Sequence, residues 1–277
     1  MYSINCKGKI LSLSGPVVMG IINATPDSFY EGHLNLSKGS ILSLAGNMIT
    51  EGADILDIGG QSTRPGSDPI SVKEEMDRVL PVIAAVHKAY PDTIISVDTY
   101  NSEVAWSAVA AGASMINDIS GGNSDLAMIS TVAALNVPYI CMHMQGIPAT
   151  MQKEPKYKDV VKEVLDYFIS KLEECSNAGI RDLVIDPGFG FGKTIEHNFK
   201  LLKNLSSFSI LNRPILVGLS RKSTIYKTLG TTPAEALNGT TVLNSMALLN
   251  GASILRVHDV KEAREAVILY NAYKKAL

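Results

Sequence analysis

Cysteine is scarce in this chain: three in 277 residues, at positions 6, 141 and 175. Widely spaced and odd in number, they form neither a disulfide framework nor a CxxC metal site, so a reducing, cytoplasmic setting is expected. Excess charge of one sign is missing too. The formal net charge is −2, which gives no support to a general nucleic-acid binder, so any anion chemistry must come from a local cluster. Long hydrophobic runs are also lacking. PVVMGII at 16–22 is far too short to span a bilayer, and the opening MYSINCKGKI has no signal-peptide core. Neither an HExxH zinc motif nor a GxSxG elbow is present, so hydrolysis by zinc or serine has no support. A phosphate loop is missing as well, although DLVIDPGFGFGKT at 182–194 imitates one. The spacing of a Walker A motif puts its first glycine on Pro187, whose locked φ and absent N–H cannot serve a phosphate. Lys193 is therefore expected at the surface or rim, not on a triphosphate.

What is present is regular. Hydrophobic residues make up 46% and charged residues 19%, the composition of a packed domain. Short β-branched runs alternate with amphipathic stretches, the signature of β-α units around a parallel sheet. The expected strands are Val17–Asn23, Ile55–Gly59, Ile94–Asp98, Met115–Asp118, 138–142, Leu183–Asp186, 215–218 and 254–258. Helices are expected at 37–51, 71–90, 101–111, 124–135, 157–178, 195–206, 220–250 (broken near Pro233) and 259–276. Eight of each in alternation is the count of a (β/α)8 TIM barrel. No linker divides the chain, so residues 1–277 read as one domain, with 1–14 as a hairpin extension. The rival, a doubly wound open sheet, would want a GxGxxG turn after its first strand, and Asn23-Ala24-Thr25-Pro26-Asp27 is no such turn. The connections after the first two strands, 24–36 and 59–70, are long and rich in Gly, Ser, Thr and Pro, as functional lids are.

Barrels of this kind place their active sites at the C-terminal strand ends. Here those ends read Asn23, Asp57, Asp98, Asn117/Asp118, Met142/His143, Asp186, Ser220-Arg221-Lys222 and Arg256/His258. Any one Asp or Asn is explained by capping; eight polar endings on one rim are not. Asp98, Asn117 and Asp186 supply acceptors and an amide, suited to a nitrogen heterocycle, since a carboxylate takes two parallel N–H bonds strongly in a dry pocket. Lys222, Arg256, His258 and Ser220 follow the last two strands, where these barrels bind phosphate, and Thr63-Arg64 in the second loop adds a fork. The rim thus pairs a heterocycle-reading half with an anion-binding half. Asn23 is a strand-end turn residue or a Mg²⁺ ligand, because Mg²⁺ takes few protein oxygens beside substrate phosphates. Phe189 and Phe191 either line the pocket or pack in the core. His33, His87 and His197 read as surface residues.

MGIINATPDSF (19–29), DIGGQSTRPG (57–66), SVDTYN (96–101), INDISGG (116–122), MHMQGIPATMQ (142–152), DPGFGFGKT (186–194), GLSRKS (218–223) and RVHDV (256–260) together resemble the dihydropteroate synthases, in order and over nearly the whole chain. The resemblance implies a homodimeric barrel that joins 6-hydroxymethyl-7,8-dihydropterin diphosphate to p-aminobenzoate with Mg²⁺, in the single-function bacterial form, with sulfonamides as inhibitors. It assigns Asp98, Asn117, Asp186 and Lys222 to reading the pterin, with Met142, Phe191 and Gly218 shaping the slot. Arg256 would stack on the pterin and face the diphosphate. Asn23, Thr63 and His258 would meet diphosphate or Mg²⁺, and Arg64, Pro65 and Ser220 the p-aminobenzoate side. Asp98, Lys222, Arg256 and His258 are the expected catalytic groups. Two departures stand out: Gln61 where such enzymes often carry Glu, and Tyr30-Glu31-Gly32-His33 at the end of the first loop. The rivals are a corrinoid-linked methyltetrahydrofolate methyltransferase, which shares a pterin-binding barrel, and a silent pterin-binding protein.

Overall fold

The computed structural model describes residues 2–24, 38–61, 69–146 and 150–276. Strands β1 (Tyr2–Cys6) and β2 (Lys9–Leu13) pair as an antiparallel hairpin, as expected for the N-terminal extension. Eight strands then run parallel: β3 (Val17–Asn23), β4 (Ile55–Gly59), β5 (Ile94–Asp98), β6 (Met115–Asp118), β7 (Tyr139–Met142), β8 (Leu183–Asp186), β9 (Leu216–Val217) and β10 (Ile254–Val257), hydrogen-bonded in the order β8-β7-β6-β5-β4-β3-β10-β9. A parallel bridge between Ile185 and Ile215 joins the two ends of that order and closes the ring.

Helices alternate with the strands: α1 (Lys38–Thr50), α2 (Val72–Ala89), α3 (Ser102–Ala111), α4 (Met128–Leu135), α5 (Val160–Asn177) and α6 (Ile195–Lys203), then α7 (Ser223–Leu229) and α8 (Leu237–Leu249) between β9 and β10, and α9 (Val260–Lys275) last. The stretch expected at 220–250 is broken as Pro233 requires. Local chemistry sets several starts. Ser71 caps α2 by accepting from the Glu74 N–H, Asp159 caps α5, and Thr194 and His197 cap α6 reciprocally, each satisfying N–H groups that a helix start leaves free. Among the described residues, no helix is long and apolar enough to cross a membrane.

Strand parity sorts the core into two. Val18, Leu56, Ile95, Ile116, Cys141, Ile185, Val217 and Leu255 face outward into the layer against the helices. Their neighbours Val17, Met19, Ile55, Ile94, Met115, Ile140, Val184, Leu216 and Ile254 fill the barrel interior, where Ile4, Cys6, Leu11 and Leu13 of the hairpin pack beneath them. One step of two residues up, the inward position changes character on six strands. Because side chains two apart share a face, it becomes Asp57, Ser96, Asn117, Asp186, Gly218 and Arg256, while Ile21 of β3 and Met142 of β7 stay apolar.

Candidate active site

Asp57, at 0% exposure, is the hub of that upper layer. Its Oδ2 accepts from Asn117 Nδ2 at 2.9 Å and from Arg256 Nε at 2.6 Å, while the same guanidinium donates from a terminal nitrogen to Asp98 Oδ2 at 2.5 Å. The other Asp57 oxygen is buried and finds no partner among the described residues. Burial pushes the Asp98 carboxyl up to about 7; Arg256 opposes the rise, and Asp57 adds to it. Burial also works against the Arg256 charge, but Asp57 and Asp98 outweigh it and raise its pKa. Arg256 therefore stays charged, and the Asp98 proton is close to balance at neutral pH.

Asp186 is buried beside this cluster and caps its own turn, its Oδ1 accepting from the Gly188 N–H at 2.8 Å. Burial raises its pKa against the pull of Lys222. The loop that follows turns through left-handed Gly188 and Gly192. A Cβ at Gly188 would sit 1.9 Å from the His143 carbonyl oxygen and one at Gly192 would sit 2.3 Å from that of Gln145, so only glycine allows this backbone contact. Lys222 donates to the Phe189 carbonyl and places its amino group 4.6 Å from the centre of the Phe191 ring. Burial lowers its pKa to about 8, against Asp186. A Cβ at Gly218 would lie 3.8 Å from Lys222 Nζ and 4.0 Å from Arg256 Cβ, so the missing side chain leaves a gap that both cations flank. The two halves expected from the sequence therefore meet inside one site, with Arg256 ion-paired to Asp98.

The two phenylalanines of the loop divide. Phe189 is wholly buried in the layer under the helices, whereas Phe191 clusters with Met142, Ile119 and Met151 beside Lys222. Ser220 Oγ lies 2.9 Å from His258 Nδ1 and accepts the His258 backbone N–H at 3.2 Å. Arg221 between Ser220 and Lys222 is a strut: in left-handed conformation, it forks onto Asp259 at 2.9 and 2.7 Å and donates to the Pro233 and Ala234 carbonyls. Asn23 ends β3 exposed at the rim, in register with Gly59 of β4, which presents no side chain beside it. Gln61 donates to the Tyr100 hydroxyl at 2.7 Å. Thr63, Arg64 and Pro65, most of both long loops, and the departure at 30–33 lie outside the described residues.

One expectation is overturned. Lys193 is not at the surface or rim; it is 2% exposed, its amino group held by three carbonyls and the His143 ring. An amino group can sink there because the glycine loop folds its own carbonyls inward around it, although burial pushes its pKa down to about 7. Three roles were not read from sequence: Asp57 and His143 stood among the strand-end residues, but not as the hub and as the partner beneath the loop, and Lys193 was not expected to be buried. ILDIG at 55–59 carried a signal for the first, an acidic residue at an inward position of an otherwise apolar strand. Lys193 and His143 carried none, because their meeting depends on two loops crossing.

This barrel, with a buried Asp–Arg–Asp cluster and Lys222 at its C-terminal end, matches the family model described as pterin binding enzyme over residues 19–258, and the chain belongs to that family. Within it, a relative from Escherichia coli (strain K12), named dihydropteroate synthase, is 46% identical over 268 residues, covering 96% of this chain and 94% of its own. Among solved structures, the Yersinia pestis dihydropteroate synthase in a sulfonamide drug complex superposes with a TM-score of 0.94 at 40% identity, covering 99% of this chain and 100% of that one. The Xanthomonas albilineans enzyme in complex with 7,8-dihydropteroate does so with a TM-score of 0.90 at 38% identity and full coverage of both.

Proposed function

We propose that this chain catalyses the dihydropteroate synthase reaction of folate synthesis: the amine of p-aminobenzoate displaces diphosphate from 6-hydroxymethyl-7,8-dihydropterin diphosphate. The observation that carries the reading is the cluster in which Arg256 bridges Asp57 and Asp98 within one gap of Lys222 and Asp186. Asp186 and Asn117 would accept and donate to the pterin edge, and Met142 and Phe191 would cover its face. Arg256, Lys222, Ser220 and His258 would meet the diphosphate. As the bond from the methylene carbon to the diphosphate oxygen lengthens, negative charge grows on the leaving group beside the two cations, and such fixed charges in a dry site are the largest catalytic contribution. Positive charge grows on the methylene, where ionised Asp98 favours it. The arylamine then forms the new C–N bond and loses its proton to diphosphate or water.

Asn23 would supply one oxygen to a Mg²⁺ ion. Its exposure opposite a glycine leaves room for waters and substrate oxygens, and among the described residues no group of three or more His, Cys, Asp or Glu side chains forms a closed cage. That donor set fits Mg²⁺ held mainly by substrate, which when bound would neutralise the leaving diphosphate. Thr63, Arg64 and Pro65 are assigned to the p-aminobenzoate and diphosphate side, where sulfonamides would compete. The chain is read as a homodimer through α8 and α9, whose Leu249, Leu269 and Tyr273 are exposed and line one groove. The three free cysteines support a cytoplasmic setting.

Incubation with the pterin diphosphate, p-aminobenzoate and Mg²⁺ should yield equal amounts of diphosphate and dihydropteroate. Binding without turnover would leave only a silent pterin-binding protein, and methyl transfer from methyltetrahydrofolate to a corrinoid would favour the other branch of the family.

A further inference from the structure

Lys193 is a buried amine that the reaction does not use; burial pushes its pKa down to about 7, with Asp186 opposing the fall. Its Nζ lies 3.0 Å from the Gly188 carbonyl oxygen, 3.0 Å from that of Phe191, 3.2 Å from that of His143 and 2.9 Å from His143 Nδ1. Two of these carbonyls belong to the loop after β8 and one to the segment after β7, so a single amino group joins both. Four contacts outnumber the three protons of an ammonium, so one proton is shared between two of the acceptors. The imidazole ring is neutral across the working range, since burial, reinforced by Lys193, pushes His143 down to about 3.

The outer edge of the 187–193 loop has fasteners of its own. The Gly190 N–H is held by Asn198 at 2.8 Å and the Gly192 carbonyl by the Tyr157 hydroxyl at 3.0 Å. On the inner edge, the carbonyls of Gly188 and Phe191 are tied down by Lys193. Between those two residues lies Phe189, whose carbonyl receives the Lys222 amino group.

We propose that Lys193 is a positioning residue for the pterin half of the site: its buried amino group staples the loop after β7 to the loop after β8 and thereby fixes the Phe189 carbonyl that aims Lys222. The role rests on the pterin-binding reading of the site but not on turnover. Without the staple, the His143 and Phe191 carbonyls lose this donor and the Gly188 carbonyl keeps only the Phe191 N–H, so the glycine loop relaxes and Lys222 and Phe191 lose their common frame.

The test is Lys193→Met, which keeps most of the volume and removes the amino group. Calorimetry with 6-hydroxymethylpterin should show a dissociation constant raised about tenfold or more, as expected when several buried acceptors are left unpaired, while KM for p-aminobenzoate stays within about twofold. Amide hydrogen exchange should quicken in 143–146 and 187–193 and remain unchanged in β3 to β6. A folded variant with lowered Tm but wild-type pterin affinity would show a merely structural lysine and overturn the proposal, as would equal losses for both substrates. Should Lys193→Met fail to fold, Lys193→Arg keeps N–H donors but offers a planar fork to three carbonyls arranged for an amino group. It should weaken pterin binding by a smaller factor with the same selectivity, and unchanged pterin affinity there would equally overturn the role. If the wild-type protein binds pterin but makes no dihydropteroate, the proposed activity fails while this binding test stands.

Discussion

The two ends of the barrel interior are built from the same strands and differ in one respect. At the N-terminal end, nine inward side chains are apolar and the hairpin seals them with Ile4, Cys6, Leu11 and Leu13. At the C-terminal end, one pleat higher, the same strands present Asp57, Asn117, Asp186 and Arg256, with Asp98 and Lys222 beside them. The lower end is held by burial, at roughly 25 cal/mol per Å² of apolar surface removed from water. The upper end holds charges that burial disfavours, and each is kept there by a partner of opposite sign. Stability is concentrated below and chemistry above, so substitutions at the two ends should separate cleanly.

The largest effect is expected from breaking the upper cluster. Arg256→Met leaves Asp57 and Asp98 without their cation, and stranding buried charge costs about 3–5 kcal/mol, so kcat/KM for the pterin diphosphate should fall by about a thousandfold or more; a loss under about tenfold would remove Arg256 from the reaction. Next comes Asp186→Ala, which should weaken pterin binding by about 2–5 kcal/mol in calorimetry, with p-aminobenzoate affinity little changed. At the opposite end, Met115→Ala should lower unfolding free energy by about 2–5 kcal/mol through the cavity it leaves, yet the folded fraction should keep near-normal kcat. A selective loss of pterin affinity there would mean that the plug also shapes the site.

The smallest effect sharpens the electrostatic side of the contrast. Burial holds Lys222 down to about 8, so it carries its charge below that pH and loses it above. The pH profile of kcat/KM, which reports the free enzyme, should therefore fall on the basic side beyond about pH 8, by up to about tenfold per unit. Lys222→Met should lower the plateau and remove that limb, and a wild-type profile flat to pH 10 would contradict the assignment.

Much of this was legible in residues alone. All eight barrel strands lie within a residue of their expected bounds at each end, because most are short β-branched runs ended by a polar residue or glycine. Asp98, Asn117, Asp186, Lys222 and Arg256 sit at those endings and converge as the barrel count implies. Less visible was which charges pair with which. Arg256 read as part of an anion half, yet it reaches across the ring to Asp57 and Asp98, which are 199 and 158 residues away in the chain. Phe189 and Phe191 are indistinguishable in PGFGFG, and only the glycine turns send one into the core and the other over Lys222.

The order of strands and helices, the inward and outward parity of each strand, and the polar character of one rim are local properties of this chain, set by side-chain periodicity and turn chemistry within a few residues. The protonation state of Asp98, the sinking of Lys193 beneath the loop, and the sharing of Arg256 between two carboxylates belong to the closed ring alone. They depend on desolvation and on contacts between segments far apart in sequence, and neither exists until the barrel has shut.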